Sequence, residues 1–159
     1  MASGDDRAET FYLDGSELTV AILSARWNFD VVSRLIEGAE RGLLANGVTD
    51  FSHESVPGAF ELPLTALHLA RSESVDAIVI VGAVIRGETT HYELVAGEAG
   101  RGIMDVQLAT GIPIGMGLLT VENLDQANAR SQGRGGHNVG EEAAAVAVEL
   151  ALRFRTARE

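Results

Sequence analysis

The stretch Ala77-Ile78-Val79-Ile80-Val81, running directly into Gly82-Ala83-Val84-Ile85-Arg86-Gly87-Glu88-Thr89-Thr90-His91-Tyr92, decides how the rest of the chain is read. Its first five residues form a short, continuous, mostly β-branched run, the pattern of a parallel strand buried on both faces. From about His91 the pattern turns helical, with Val95, Ala99 and Ile103 spaced by four along one face. The segment between, expected to be a loop from Gly82 onward, lies at the carboxyl end of a strand and the amino end of a helix. Free backbone N–H groups and the positive end of the helix dipole favour an anion there, so a phosphate or carboxylate on a ligand is implied. An ordinary polar strand-to-helix turn is the plainer alternative.

Working outward from this unit, strands and helices alternate. Asp14-Gly15 signals a turn, and Leu18-Thr19-Val20-Ala21-Ile22-Leu23 reads as a first buried strand. Phe11-Tyr12-Leu13 is apolar ahead of the core, either a flap over its own domain or an N-terminal arm that adds a strand to a neighbouring subunit. Residues 1–10 read as disordered. Asn28 is placed to cap a helix from about Phe29 to Ala45, with Val32, Leu35, Ile36, Ala39 and Leu43 inward and Asn46-Gly47 ending it.

A weaker strand from about Asp50 to Val56 precedes Pro57-Gly58-Ala59-Phe60-Glu61, and Pro63 falls in the first turn of a helix reaching about Arg71. Beyond the central unit, a helix from His91 ends near Gly111, Ile112 to Leu119 form another strand, and Asn123 caps a short helix from Leu124 to Arg130. Gly133, Gly135, Gly136 and Gly140 interrupt the pattern before a last helix from Glu141 to about Arg158, acidic at its start and basic at its end. The alternation predicts a single α/β domain over 1–159, a three-layer α/β/α sandwich around a mainly four-stranded parallel sheet.

Composition removes whole classes of chemistry. All 12 basic residues among the 159 are arginines, so a lysine imine, a pyridoxal-phosphate anchor and a P-loop lysine are excluded. The absence of cysteine removes disulfides, thiolate catalysis and cysteine-bound metal. Against the arginines stand 23 acidic residues and a net charge of −11, which argues against affinity for nucleic acid. The same acidity suits a high-salt cytoplasm, while a GC-rich genome explains the missing lysine equally well. No apolar run is long enough for a membrane span, and the polar start Met1-Ala2-Ser3-Gly4-Asp5-Asp6 is no secretory signal, which points to a cytoplasmic protein.

Three segments at strand ends converge: Ala25-Arg26-Trp27-Asn28, Pro57-Gly58-Ala59-Phe60-Glu61, and Val84-Ile85-Arg86-Gly87 with Thr89-Thr90-His91-Tyr92. Together they resemble the 6,7-dimethyl-8-ribityllumazine synthase family, over nearly the whole chain from about Leu18 to Arg153. The resemblance implies a flavodoxin-like fold and condensation of 5-amino-6-(ribitylamino)uracil with 3,4-dihydroxy-2-butanone 4-phosphate, releasing phosphate and water. It implies neither cofactor nor metal, since the substrate's own amine forms the imine. It also implies self-association as a pentamer, in some members a hollow shell of twelve pentamers.

Site residues follow from the same resemblance. Trp27 stands where the family has an aromatic ring, usually Phe, stacking on the pyrimidine; a structural Trp is the alternative. Ala59, Phe60 and Glu61 match the segment binding the ribityl hydroxyls, although Glu61 could instead cap the following helix. Ala83, Val84 and Ile85 resemble the backbone that reads the pyrimidine edge, with side chains that could simply be core. Glu88, Thr89 and Thr90 resemble the phosphate cradle, where the helix-terminus argument arrived independently.

His91 aligns with the proton shuttle, a role suited to a side chain that titrates near neutrality. Arg130 matches a phosphate-binding arginine that reaches the site of an adjacent subunit. Arg134 stands in a stretch, Ser131 to Gly140, where the family commonly has lysines and this chain has about one extra residue. Met116 replaces an aromatic wall supplied by the neighbour. The role of Arg86 is open between bracing the loop and touching substrate. His53, His68 and His137 receive no role. Two rival readings are an archaeal-type riboflavin synthase and a non-catalytic flavin-binding or shell protein.

Overall fold

The computed structural model describes residues 13–158. The Phe11 arm and the disorder expected over 1–10 lie outside the described residues. Four strands, β1 (Thr19–Ala25), β2 (Asp50–Val56), β3 (Ala77–Ile85) and β4 (Ile114–Val121), form one parallel sheet in the order β2-β1-β3-β4. The helices between and after them are α1 (Phe29–Ala45), α2 (Leu62–Arg71), α3 (His91–Thr110), α4 (Leu124–Ala129) and α5 (Val139–Arg158). A single 3-10 turn, Ala59–Glu61, leads into α2.

The side-chain alternation of the strands divides the core in two. Val20, Ile22, Val79, Val81 and Leu119 pack with α1 and α5 on one face. Leu23, Ile78, Ile80, Ile114 and Leu118 pack with α2 and α3 on the other. The three-layer sandwich expected from the alternation, flavodoxin-like as the resemblance implies, is the one observed.

The structure corrects several boundaries. Gly82 to Ile85 are not loop: β3 continues because these residues pair in register with Leu118 to Val121 of β4, which supplies the backbone hydrogen bonds that a loop would leave to water. The loop therefore begins at Arg86. The last helix starts at Val139, two residues before the expected Glu141, because the Asn138 side chain accepts from the Glu141 N–H at 3.2 Å and caps it. Asn28 does not cap α1 through its side chain. It sits in the left-handed region, φ 61° and ψ 48°, and its carbonyl accepts from the N–H groups of Val31 and Val32. Asn123, by contrast, caps α4 as the sequence predicts, accepting from Gln126 at 2.9 Å.

Close backbone contact fixes α5. A Cβ on Gly140 would lie 2.1 Å from the Leu35 carbonyl oxygen of α1, and a Cβ on Gly115 of β4 would lie 2.1 Å from the Ala143 carbonyl oxygen. Neither neighbour is a side chain that could swing away. The Ser131 to Gly140 stretch is consequently held tightly: Arg34 of α1 donates to the Ser131 carbonyl at 3.0 Å and to Asn128 Oδ1 at 2.6 Å, and Ser131 bridges Asn138 in antiparallel fashion. At its tip, Gly136 N–H bonds the Gly133 carbonyl around Gly135, whose φ of +86° explains the glycine there.

Gly115→Ala is expected to destabilise the fold by about 2–3 kcal/mol, since a helix backbone must shift to admit the methyl. Gly133→Ala, with open space around its Cβ position, is expected to stay within about 0.5 kcal/mol of the parent. Equal denaturant midpoints for the two variants would contradict this packing.

Candidate active site

The order β2-β1-β3-β4 reverses direction between β1 and β3, so the connections leaving these two strands diverge and open a crevice at their carboxyl ends. A cleft of about 380 Å³ lies there, lined by Trp27, Ala59, Ala83, Val84, Ile85, Gly87, Thr89, His91, Tyr92 and Val95. A larger cavity of about 840 Å³ lies at the other end of the sheet, around Arg71, Asp76, Pro113 and Phe154. It holds none of the residues singled out from sequence.

Trp27 follows β1 and stands 71% exposed, an unusual placement for an indole. Its edge rests on Gly58. A Cβ there would lie 3.0 Å from Trp27 Cδ1 and 3.2 Å from Glu61 Oε2, so glycine admits both the indole and the carboxylate at one corner of the crevice. Glu61 makes no capping hydrogen bond to α2. Its carboxylate is thereby left at the indole edge, which removes the helix-cap alternative. Phe60 is exposed beside it and does not line the cleft.

The opposite wall is the end of β3. Ala83 is buried, while Val84 and Ile85 are half-buried: Val84 packs toward α2 and α3, Ile85 toward α1 and α5. Each side chain anchors in a core while the residue also lines the cleft. Asn28 joins the two walls, donating from Nδ2 to the Ala83 carbonyl at 2.9 Å.

The Arg86 to Thr90 loop, expected from the sequence to favour an anion, joins β3 to α3 at the cleft. Thr89 Oγ1 accepts from the His91 N–H at 3.3 Å, and Thr90, the residue before α3, makes no side-chain capping bond. Of the first-turn N–H groups, that of His91 is taken by Thr89 Oγ1 and that of Glu93 by the Thr90 carbonyl at 3.2 Å, so the loop presents the Thr90 hydroxyl and the positive end of the α3 dipole. Glu88 is exposed and outside the lining, and His91 is exposed on the first turn of α3 at the cleft.

Arg86 braces this loop. Its guanidinium bonds Glu93 of α3, bonds Glu122 beyond β4 at 2.6 Å, and lies 4.3 Å above the ring of Tyr92. Its own N–H bonds the Val121 carbonyl at 2.9 Å. Hydrogen bonding to Glu93 and then Glu122 raises the guanidinium pKa above its already high value, and the same contact holds the Glu93 carboxyl below its usual range. The arginine inside the motif is therefore neutralised by two carboxylates.

Besides Phe60, Glu61, Glu88 and Thr90, which border the cleft in sequence without lining it, Arg130, Arg134 and Met116 do not line the cleft of their own chain. Arg130, at the end of α4, donates to the Gln126 carbonyl at 3.0 Å. Arg134 is exposed in the glycine turn, and Met116, on the sheet's edge strand, is 44% exposed beside Gly100. Sequence reading missed Tyr92 and Val95 as lining residues. The signal for Val95 was its helical spacing from His91, one turn on along the same face.

Comparison with known proteins agrees with this geometry. The family model described as 6,7-dimethyl-8-ribityllumazine synthase matches residues 17–155. Curated relatives carrying that name include one from Kineococcus radiotolerans, 45% identical over 96% of this chain and 94% of its own length. Another, from Deinococcus deserti, is 44% identical over 91% of this chain and 93% of its own. A third, from Deinococcus radiodurans, is 42% identical over 79% of this chain and 82% of its own. With its topology, its switch-point cleft and these matches in agreement, the chain belongs to the 6,7-dimethyl-8-ribityllumazine synthase family, transferases that carry out the condensation step of riboflavin biosynthesis.

Proposed function

We propose that the chain condenses 5-amino-6-(ribitylamino)uracil with 3,4-dihydroxy-2-butanone 4-phosphate in this cleft, and that a neighbouring subunit completes it. Trp27 stacks on the pyrimidine, the β3 backbone from Ala83 to Ile85 reads its edge, and Ala59, Phe60 and Glu61 receive the ribityl chain. Thr89, Thr90 and the first turn of α3 hold the phosphate. His91 moves the protons that imine formation, elimination and ring closure require. Placing the two reactants side by side supplies much of the acceleration, an effect worth up to about 7–11 kcal/mol in favourable cases.

The observation that carries the shared site is the charge inventory of the cleft. Among the described residues no arginine lines it, and Arg86, directly after β3, is already paired with two carboxylates. A phosphate needs a cation that the described residues do not offer to their own cleft, and Arg130 of an adjacent copy is the candidate, with Arg134 following it in sequence. Met116 from the same neighbour closes the stacking side.

The exposed apolar stripe of α3, with Leu94, Met104 and Leu108 at 56%, 50% and 76% exposure, supports burial against further copies. The expected assembly is a cytoplasmic pentamer. Its growth into a shell depends on the Ser131 to Gly140 turn.

The direct test supplies both substrates and follows lumazine fluorescence together with released phosphate. Equimolar appearance of the two supports the synthase. Conversion of lumazine to riboflavin would indicate the archaeal-type riboflavin synthase, and absence of turnover a binding or shell protein.

His91→Ala is expected to lower kcat by about 10–1000-fold with little change in either KM, because proton transfer is lost while positioning remains. Full activity in that variant would refute the shuttle. Arg130→Ala is expected to weaken the butanone phosphate by about 1.5–3 kcal/mol, the worth of a charge-assisted contact, and the pyrimidine far less. Equal effects on both substrates would reassign Arg130 to structure.

A further inference from the structure

Asn28 is one of two non-glycine residues with positive φ among the described residues; the other, Glu73, lies in the exposed turn after α2, at the cavity at the opposite end of the sheet. A left-handed residue costs least as glycine, asparagine or aspartate, because larger β-substituents crowd the following carbonyl. Glycine would satisfy the backbone alone. Asparagine adds an amide, and that amide does not do what asparagine ordinarily does at a helix start.

Instead of capping α1, Nδ2 crosses to β3 and donates to the Ala83 carbonyl at 2.9 Å, a contact spanning 55 residues of sequence. The Asn28 carbonyl meanwhile accepts from Val31 and Val32, both at 3.0 Å, so the residue is fixed to α1 by its backbone and to β3 by its side chain. Trp27, the preceding residue, has almost nothing else to hold it, being 71% exposed with its edge on Gly58.

We propose that Asn28 is a positioning residue for pyrimidine recognition, setting the distance and angle between the Trp27 ring and the Ala83 to Ile85 backbone. The proposal rests on the reading of Trp27 as the stacking ring. A planar ligand gripped on its face by an indole and on its edge by a strand needs those two groups held in fixed relation. Asn28 Nδ2 is the hydrogen bond that ties them. It does not touch the phosphate loop, so its effect should fall on one substrate.

Trp27 is the chain's single tryptophan, which makes its motion directly readable by fluorescence. In the full-length protein, Asn28→Gly keeps the left-handed backbone and removes only the amide. It is expected to raise KM for the ribitylaminouracil by about 3–10-fold, the range of one neutral hydrogen bond, and to leave KM for the butanone phosphate within about twofold. Nanosecond anisotropy decay of Trp27, recorded without ligand, should gain a fast component. Asn28→Asp, which turns a carboxylate toward the Ala83 carbonyl, should raise the pyrimidine KM further than Asn28→Gly does.

An unchanged anisotropy decay together with an unchanged pyrimidine KM in Asn28→Gly would overturn the proposal. Equal increases in KM for both substrates would do the same, marking a general loosening. The stacking reading is judged separately, by quenching of wild-type Trp27 fluorescence on titration with the ribitylaminouracil. Failure to quench would contradict that reading, while the ligand-free anisotropy would still decide whether Asn28 restrains Trp27.

Discussion

The parallel pairing of β1 with β3, in a sheet whose order reverses between them, is the constraint on which the site depends. From β1 the chain crosses to β2 on one side; from β3 it crosses to β4 on the other. The segments leaving the two central strands must therefore separate, and the gap between them cannot be filled by either connection. Into it project the aromatic of the first connection and the hydroxyls and histidine of the second. Gly115 and Gly140 let α5 pack in direct backbone contact with β4 and α1, on one face of that sheet.

Electrostatics gives the cleft an uneven design. The helix α3 begins at the loop and offers N–H groups and a positive dipole end, which suit a phosphate but amount to about half a charge. The arginine best placed by sequence to add a full charge is consumed in binding Glu93 and Glu122, where it fastens β3, α3 and β4 together beneath Tyr92. Structure and anion recognition are thus assigned to different arginines. The first is internal to the chain, and the second is proposed to come from outside it, which would make assembly a condition of catalysis.

Much of this was legible in the sequence because the underlying periodicities are strong. The Ala77 run, the Val95–Ala99–Ile103 spacing and the Asp50 to Val56 segment gave elements whose types and near boundaries hold. What stayed hidden depends on long-range pairing. Nothing local says that Gly82 to Ile85 remain strand, since the decision is made by β4, 36 residues on, in the ladder with Leu118 to Val121. Asn28 looked like a helix cap because asparagine before a helix usually is one; its actual partner, Ala83, is set by strand order. The motif located Arg86, but only the fold brings Glu93 and Glu122 to it together. Arg130, Arg134 and Met116 are expected at the site by resemblance alone, whereas their absence from the lining of the chain's own cleft is a fact of the fold.

The central claim is that one cleft takes groups from two subunits, and mixed oligomers test it most directly. His91→Ala and Arg130→Ala chains, co-expressed in equal amounts, assemble at random. A shared site regains both groups when an Arg130→Ala subunit, carrying His91, faces a His91→Ala neighbour carrying Arg130, which occurs at about one quarter of the interfaces in a cyclic assembly. With butanone phosphate held well below the wild-type KM, where its weaker binding to Arg130→Ala limits the rate, the account predicts lumazine formation by the mixture at about one quarter of the wild-type rate per site, well above either parent. A mixture no more active than the mean of the two separate variants would contradict it, showing that His91 and Arg130 serve the same chain's cleft or that Arg130 serves none.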